Sequence, residues 1–230
     1  MVTCEKILAT LKAKGRPDQL AGMARYGMKT ENRLGIQMPE LRRLAKEIGR
    51  NHNLAMQLWE SGIAEARILA SMVAEPEKLT SQQMDGIAAD VDSWDIGDQT
   101  CMNLFEKTPL AWRKIREWSQ REEEFVKRTA YSLIACLAWH NKTASDEQFV
   151  ETFPTIAHGA QDSRKSVQKA VSWALRNIGK RNQSLNQEAI EFAHQIQTTE
   201  TKPAKWVASD VIRELTSPAV QRRLSKKAKQ

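Results

Sequence analysis

Cysteine and histidine, the residues that build disulfide frameworks and most zinc sites, are scarce in this sequence. The three cysteines, Cys4, Cys101 and Cys136, lie far apart, and no CxxC pair is present. The four histidines are equally scattered, without the spacing of zinc ligands. We therefore expect neither a disulfide framework nor a bound metal ion.

Long apolar runs and strand patterns are also lacking. No stretch approaches the roughly 20 apolar residues that a membrane-spanning helix needs. The first segment, MVTCEKILATLKAKG, is amphipathic and charged and has no apolar run of signal-peptide length. Strand-like alternation and Asn-Gly hairpin signals are absent. We therefore expect an all-helical protein of the cytoplasm, with no membrane contact.

The chain does have an excess of positive charge. Its 230 residues carry a formal net charge of +7, and the sequence pI is about 9.4. This balance favours an acidic partner, with nucleic acid ahead of an anionic membrane. The last segment, 222–230, has five basic residues and no acid. This tail either contacts a polyanion or is a frayed, solvated end.

Helical periodicity covers most of the chain. Apolar residues recur at three- and four-residue spacing, and prolines stand where a first helical turn accepts them. The predicted helices are 4–13, 19–26, 39–50, 54–60, 63–74, 81–91, 93–107, 110–119, 122–140, 146–158, 162–180, 187–197, 204–215 and 218–226. They pair into units of roughly 35–40 residues, the range of HEAT-type repeats. We predict an all-α, HEAT-like helical repeat solenoid, an α-α superhelix with a concave basic face, formed by 1–230 as a single domain.

One predicted helix carries a basic face with an aromatic ring in its middle. Segment 161–181 has six basic residues against one acid, a net charge of +5. Lys169, Trp173, Arg176 and Lys180 recur at helical spacing beside the apolar stripe. Such a face suits nucleic acid, whose phosphates meet the cations and whose sugars or bases pack on the ring. A solvated basic face with Trp173 at the edge of the core fits the same pattern.

The segment VDSWDIGDQTCMNLF combines a tryptophan with three carboxylates. Trp94 and Asp98 are four residues apart, so they share one face of a helix. Asp92 and Asp95 flank the predicted helix start, where capping and the helix dipole favour carboxylates. An indole beside a carboxylate can stabilise a positively charged transition state. The alternative is a core tryptophan with a solvated or ion-paired Asp98.

The helix REEEFVKRTAYSLIACLAW has an arginine beside its apolar stripe. The stripe contains Val126, Ala130, Ile134 and Leu137, and Arg128 lies to one side of it. A guanidinium there can donate two parallel hydrogen bonds to a phosphate or to a carboxylate of a neighbouring repeat. Both roles stay open from the sequence alone.

Four pieces of the chain, in this order, resemble the DNA alkylation repair enzymes of the AlkD-like type, which are HEAT-repeat DNA glycosylases. They are MARYGMK with LGIQMPELRRLAKEI, then SWDIGD, FVKRTA and VQKAVSWALRNIGK, within about residues 23–215. The chain departs from the family in having Ser93 where a second tryptophan often precedes the matched one. Gly97 also stands directly before Asp98.

The resemblance implies a role for each matching residue. Trp94 and Trp173 match the two tryptophans that flank the deoxyribose of the damaged nucleotide. Asp98 matches the carboxylate that stabilises the developing sugar cation and positions water. Arg128 matches a phosphate-contacting arginine, and Tyr26 matches an aromatic residue near the DNA backbone. Lys169, Arg176 and Lys180 are expected to add affinity for the backbone of the duplex.

The resemblance also implies the reaction. A cationic N3- or N7-alkylated purine is a good leaving group, so electron-rich rings and a negative charge around the sugar are enough to promote release. We expect contact with the sugar and backbone without a base-reading pocket, no cofactor, a monomer, and a cytoplasmic protein that is nucleoid-associated when bound to DNA. The alternatives are a non-catalytic protein that binds damaged or bent DNA and a HEAT-type protein-interaction scaffold.

Overall fold

The computed structural model describes residues 3–227, and these residues fold entirely into α-helices, short 3₁₀ turns and connecting loops. They divide into two compact units, Met1–Leu110 and Ala111–Gln230. The predicted all-α, HEAT-like helical repeat fold is confirmed. That residues 1–230 form one domain stays a prediction. Lys229 of the basic tail lies outside the described residues, whereas 222–227 continue the last helix.

The first unit contains seven of the helices within the described residues. They are α1 (Cys4–Ala13), α2 (Leu20–Arg25), α3 (Met38–Ile48), α4 (His52–Glu60), α5 (Ala64–Val73), α6 (Ser81–Asp90) and α7 (Trp94–Asn103). Helices α4 and α5 pack together as a pair, and α5 also packs against α3 and α7. A long loop, 26–37, joins α2 to α3.

The second unit contains the remaining eight helices of the described part of the chain. They are α8 (Ala111–Ser119), α9 (Glu124–His140), α10 (Asp146–Val150), α11 (Phe153–Ala160), α12 (Lys165–Gly179), α13 (Gln183–Gln197), α14 (Lys202–Leu215) and α15 (Pro218–Lys227). Consecutive helices pair as α8 with α9, α11 with α12 and α13 with α14. The second members of these pairs, α9, α12 and α14, pack side by side, which is the pattern of a stacked repeat.

The predicted apolar stripes form the core of the second unit. On α12, Val167, Val171 and Ile178 are completely buried, and α9 is buried over most of its length. Each such side chain contributes about 1.5–3 kcal/mol relative to an exposed one. The broad contact between α9 and α12 therefore fixes the two helices that carry Arg128 and Trp173.

The helix predicted over 146–158 is two helices, because Pro154 cannot continue α10 and instead occupies the first turn of α11. A capping box of Thr80 and Gln83 fixes the start of α6. Gly159 lies near the end of α11, where an added Cβ would come within 2.2 Å of the Tyr131 ring.

No helix among residues 3–227 combines the length and the apolar character needed to cross a bilayer.

Candidate nucleic-acid interface

In the first unit, Trp94 and Tyr26 lie together. Trp94 is the first residue of α7, and its indole Nε1 donates a hydrogen bond to the backbone oxygen of Tyr26, 3.1 Å away. Asp98 follows one turn later on α7, and both Trp94 and Asp98 are half-buried. The side chain of Tyr26 projects into solvent and is 78% exposed. Trp94 and Asp98 therefore lie on one face of α7, as their spacing predicts.

The two other aspartates of this segment form ion pairs with residues of the loop 26–37. Asp95 accepts two hydrogen bonds from the Arg33 guanidinium, at 2.8 and 3.0 Å, and a third from Ser93 Oγ at 2.6 Å. Asp92 accepts from Lys29 Nζ at 2.8 Å, which raises the pKa of Lys29. Asp95 lies in the first turn of α7, as expected, and its carboxylate also binds Arg33.

Buried side chains shape the loop that carries Tyr26 and Arg33. The Glu65 carboxylate, almost completely buried on α5, accepts hydrogen bonds from the backbone N–H groups of Leu34, Gly35 and Ile36 at 2.7–3.2 Å. Gly35 has a φ of +80°, and a Cβ there would lie 2.1 Å from the Arg16 carbonyl oxygen. Together with the Arg33–Asp95 pair, these contacts hold the loop against the start of α7.

In the second unit, the basic face of α12 is partly neutralised by α14. Arg176 forms an ion pair with Glu214 and approaches Asp210 at 3.5 Å, and Lys180 Nζ lies 2.6 Å from Glu214. Burial alone would raise the pKa of Glu214, but hydrogen bonds from Lys180 and Arg176 outweigh it and the pKa is lowered. Lys169 differs from these two cations, since it is exposed and forms no ion pair within residues 3–227.

Arg128 lies in the first half of α9 and is nearly buried. It is 5% exposed, and its Nη1 donates to Ser132 Oγ at 3.1 Å, one turn along the same helix. A guanidinium held in this way is fixed before any ligand arrives. Its contact with a phosphate stays a prediction.

Trp173 lines an open cavity of about 270 Å³ formed by the ends of α9, α12 and α15. Trp139 lines it from α9, and Lys142, Lys180, Arg181 and Arg223 surround it. None of the described residues that line it is acidic. The sequence prediction missed Trp139 and Lys142, whereas Arg223 belongs to the basic tail for which contact with a polyanion was one of two alternatives. An aromatic residue off the apolar stripe of α9, followed three positions later by a lysine, was the available signal.

Ligands for a metal ion are not grouped in the described part of the chain. Within residues 3–227, no cluster of three or more histidine, cysteine, aspartate or glutamate side chains has a suitable arrangement.

Comparison with known structures confirms the fold. A protein described as belonging to a new family related to the HEAT-like repeat DNA glycosylases, with affinity for branched DNA structures, superposes with a TM-score of 0.76 at 16% identity. The match covers 93% of this chain and 95% of that one. At this identity the likeness concerns the fold.

Two other solved structures match less well. An engineered protein has a TM-score of 0.39 at 16% identity over 76% of this chain and 90% of its own. A designed armadillo repeat protein in complex with the peptide (KR)4 has a TM-score of 0.36 at 15% identity over 80% and 88%. Neither adds to the fold assignment.

The sequence itself matches a family model. A search of curated proteins found no match. The model described as DNA alkylation repair enzyme, however, matches residues 7–209, which contain α2 to α13, most of α1 and the first half of α14. The chain therefore belongs to the DNA alkylation repair enzyme family.

Proposed function

We propose that the protein is a DNA glycosylase that hydrolyses the N-glycosidic bond of cationic N3- or N7-alkylated purines in duplex DNA. Membership of a DNA alkylation repair family and a fold related to HEAT-like glycosylases support a role in DNA repair. The net charge of +7 favours a polyanionic partner.

The observation that carries the catalytic part of the proposal is the arrangement at the start of α7. The Trp94 indole is anchored through Nε1 to the Tyr26 carbonyl, and the Asp98 carboxylate lies one helical turn away on the same face. Release of a cationic purine leaves an oxocarbenium-like sugar. The electron-rich ring face and the carboxylate both stabilise that positive charge. Asp98 would also orient the water that attacks C1′ of the sugar.

We assign the catalytic role to Asp98 and structural roles to Asp92 and Asp95. Asp95 is held by Arg33 and Ser93, and Asp92 by Lys29. The buried Arg33–Asp95 pair fixes the loop against the helix start, so that Trp94 is positioned before DNA binds. Preorganisation of this kind lowers the cost of arranging charges during the reaction.

The second unit would bind the DNA backbone. Trp173 is half-buried on α12 and would pack against a deoxyribose, with exposed Lys169 reaching a phosphate one turn away. Arg176 and Lys180 carry a reduced effective charge because of Glu214. We assign Arg128 to a phosphate as well. Because it is nearly buried, it would act as a fixed donor.

A second candidate function is DNA binding without catalysis. The structural neighbour, which has the same fold, is described by its affinity for branched DNA structures, so this architecture is compatible with DNA binding. Such a protein would use the same cations and tryptophans and would not need Asp98.

The deciding experiment measures binding and base release in the same samples. Duplex DNA carrying 7-methylguanine is incubated with wild-type protein in excess, and free base is quantified beside the fraction bound. Release of free base at a rate above that of protein-free duplex supports the glycosylase. Full binding without release favours the non-catalytic function, and absence of salt-dependent binding favours a protein-interaction scaffold.

A further inference from the structure

The last turn of α9 exposes a large aromatic side chain. Trp139 is 52% exposed, and its ring stacks on His140 with centroids 4.7 Å apart. It faces the open cavity that Trp173 lines from α12. Single exposed apolar side chains are common on protein surfaces, whereas neighbouring ones form a patch that marks an interaction site.

Hydrogen bonds between the two helices fix this cavity. Asn177 on α12 donates to the Ala135 carbonyl oxygen on α9 at 3.1 Å. Arg181 donates to the carbonyl oxygens of Ala138 and Asn141 at 3.0 and 2.8 Å, and its guanidinium lies 4.2 Å from the Phe149 ring centroid. The end of α9 and the start of the next loop are thus tied to the end of α12. Because Trp139 and Trp173 belong to these tied segments, the cavity is formed before a ligand binds.

The rim of the cavity is cationic. Lys142 donates to the Trp139 carbonyl oxygen, which holds its ammonium at the end of α9. Arg223 reaches the cavity from α15 and is exposed, and it forms no ion pair within the described residues. Cations beside exposed aromatic rings can bind the phosphate and the base of one nucleotide at the same time.

We propose that this cavity binds one unstacked nucleotide of DNA, with its base against Trp139 and its phosphate held by Lys142 and Arg223. The cavity volume of about 270 Å³ lies just below the usual range of small-molecule pockets, about 300–1,000 Å³, and suits a group of this size. In an intact duplex the base faces are covered by stacking, so only a nucleotide outside the stack can use the ring. The site depends on the DNA-binding part of the proposed function and not on hydrolysis.

The test compares two duplexes that differ by one nucleotide. Fluorescence anisotropy measures the Kd for a duplex with a single unpaired thymidine and for the same duplex without it. Trp139→Ala should weaken binding of the bulged duplex about tenfold, within the range expected for loss of one base–aromatic stack, and should leave the intact duplex unchanged. Trp139→Phe should retain most of the preference. Trp206→Ala, which removes an exposed indole outside the cavity, is the matched control.

A second pair of variants tests the phosphate contact. Arg223→Gln should weaken binding of the bulged duplex and reduce its salt slope by about one. Arg222→Gln, its exposed neighbour on α15 that does not line the cavity, should act equally on both duplexes. Equal loss on both duplexes for Trp139→Ala, or no loss on either, overturns the proposal.

The outcome is separable from that of the hydrolysis assay. A protein that prefers the bulged duplex through Trp139 but releases no alkylated base supports the nucleotide site and contradicts the glycosylase. Base release without any preference for the bulged duplex supports the glycosylase and contradicts the nucleotide site.

Discussion

Replacing Asp95 with alanine removes the carboxylate that neutralises a buried guanidinium. The Arg33 side chain is 3% exposed and that of Asp95 is 11% exposed, with two hydrogen bonds of 2.8 and 3.0 Å between them. Leaving one partner of such a pair buried and uncompensated costs about 3–5 kcal/mol. A domain is stabilised by only about 5–15 kcal/mol in total. We therefore expect Asp95→Ala to lose roughly a fifth or more of the stability of the fold.

Urea unfolding followed by circular dichroism measures this loss. The double variant Arg33→Met, Asp95→Ala should recover much of the stability, because no buried charge remains. Asp92→Ala is the matched control, since the Lys29–Asp92 pair is exposed to solvent and contributes little to stability. A loss below about 1 kcal/mol for Asp95→Ala would refute the reasoning, and so would a double variant as unstable as the single one.

Three further predictions concern charge. Lys169→Gln should lower the affinity for intact and damaged duplex alike and reduce the slope of log Kd against log salt concentration by about one. Lys180→Ala should lower the affinity less, because Glu214 already neutralises Lys180. Measurement of Kd over a range of salt concentrations compares the two variants. Glu214→Gln should strengthen duplex binding and steepen the salt dependence, and weaker binding would contradict the assigned role of these cations. The hydrogen bonds from Arg164 hold the pKa of Asp162 in the folded protein below its ordinary 3.8. The ionised carboxylate therefore stabilises the fold fully above pH 3.8, and this contribution is lost as the pH falls through the pKa of the folded state. Melting temperatures measured from about pH 6 to pH 2 should therefore fall less steeply for Asp162→Asn than for wild type.

Local periodicity was enough to predict the helices. The stripe of Val167, Val171 and Ile178 is buried as expected, and α1 has the bounds that the sequence predicts. Apolar spacing encodes which side of a helix faces the core, and this information is contained within a few turns. The break at Pro154 was missed because the apolar pattern continues through it.

The candidate site was predictable only in part, since its decisive contacts join distant residues. The spacing of Trp94 and Asp98 predicts their shared face. The commitment of Asp95 to Arg33 spans 62 residues and has no local signal. In the same way, Arg181 was counted among the six basic residues of segment 161–181, but its guanidinium binds the carbonyl oxygens at the end of α9.

The most direct test of the glycosylase is single-turnover release of 7-methylguanine by wild type, Asp98→Asn and Asp92→Asn. We predict that Asp98→Asn binds the duplex with unchanged Kd and loses about 2.7–4 kcal/mol of transition-state stabilisation, or roughly 10²–10³ in rate, as removal of one preorganised electrostatic contact does. Asp92→Asn should release base at the wild-type rate. Equal rates for wild type and Asp98→Asn would contradict the assignment of Asp98 as the catalytic carboxylate.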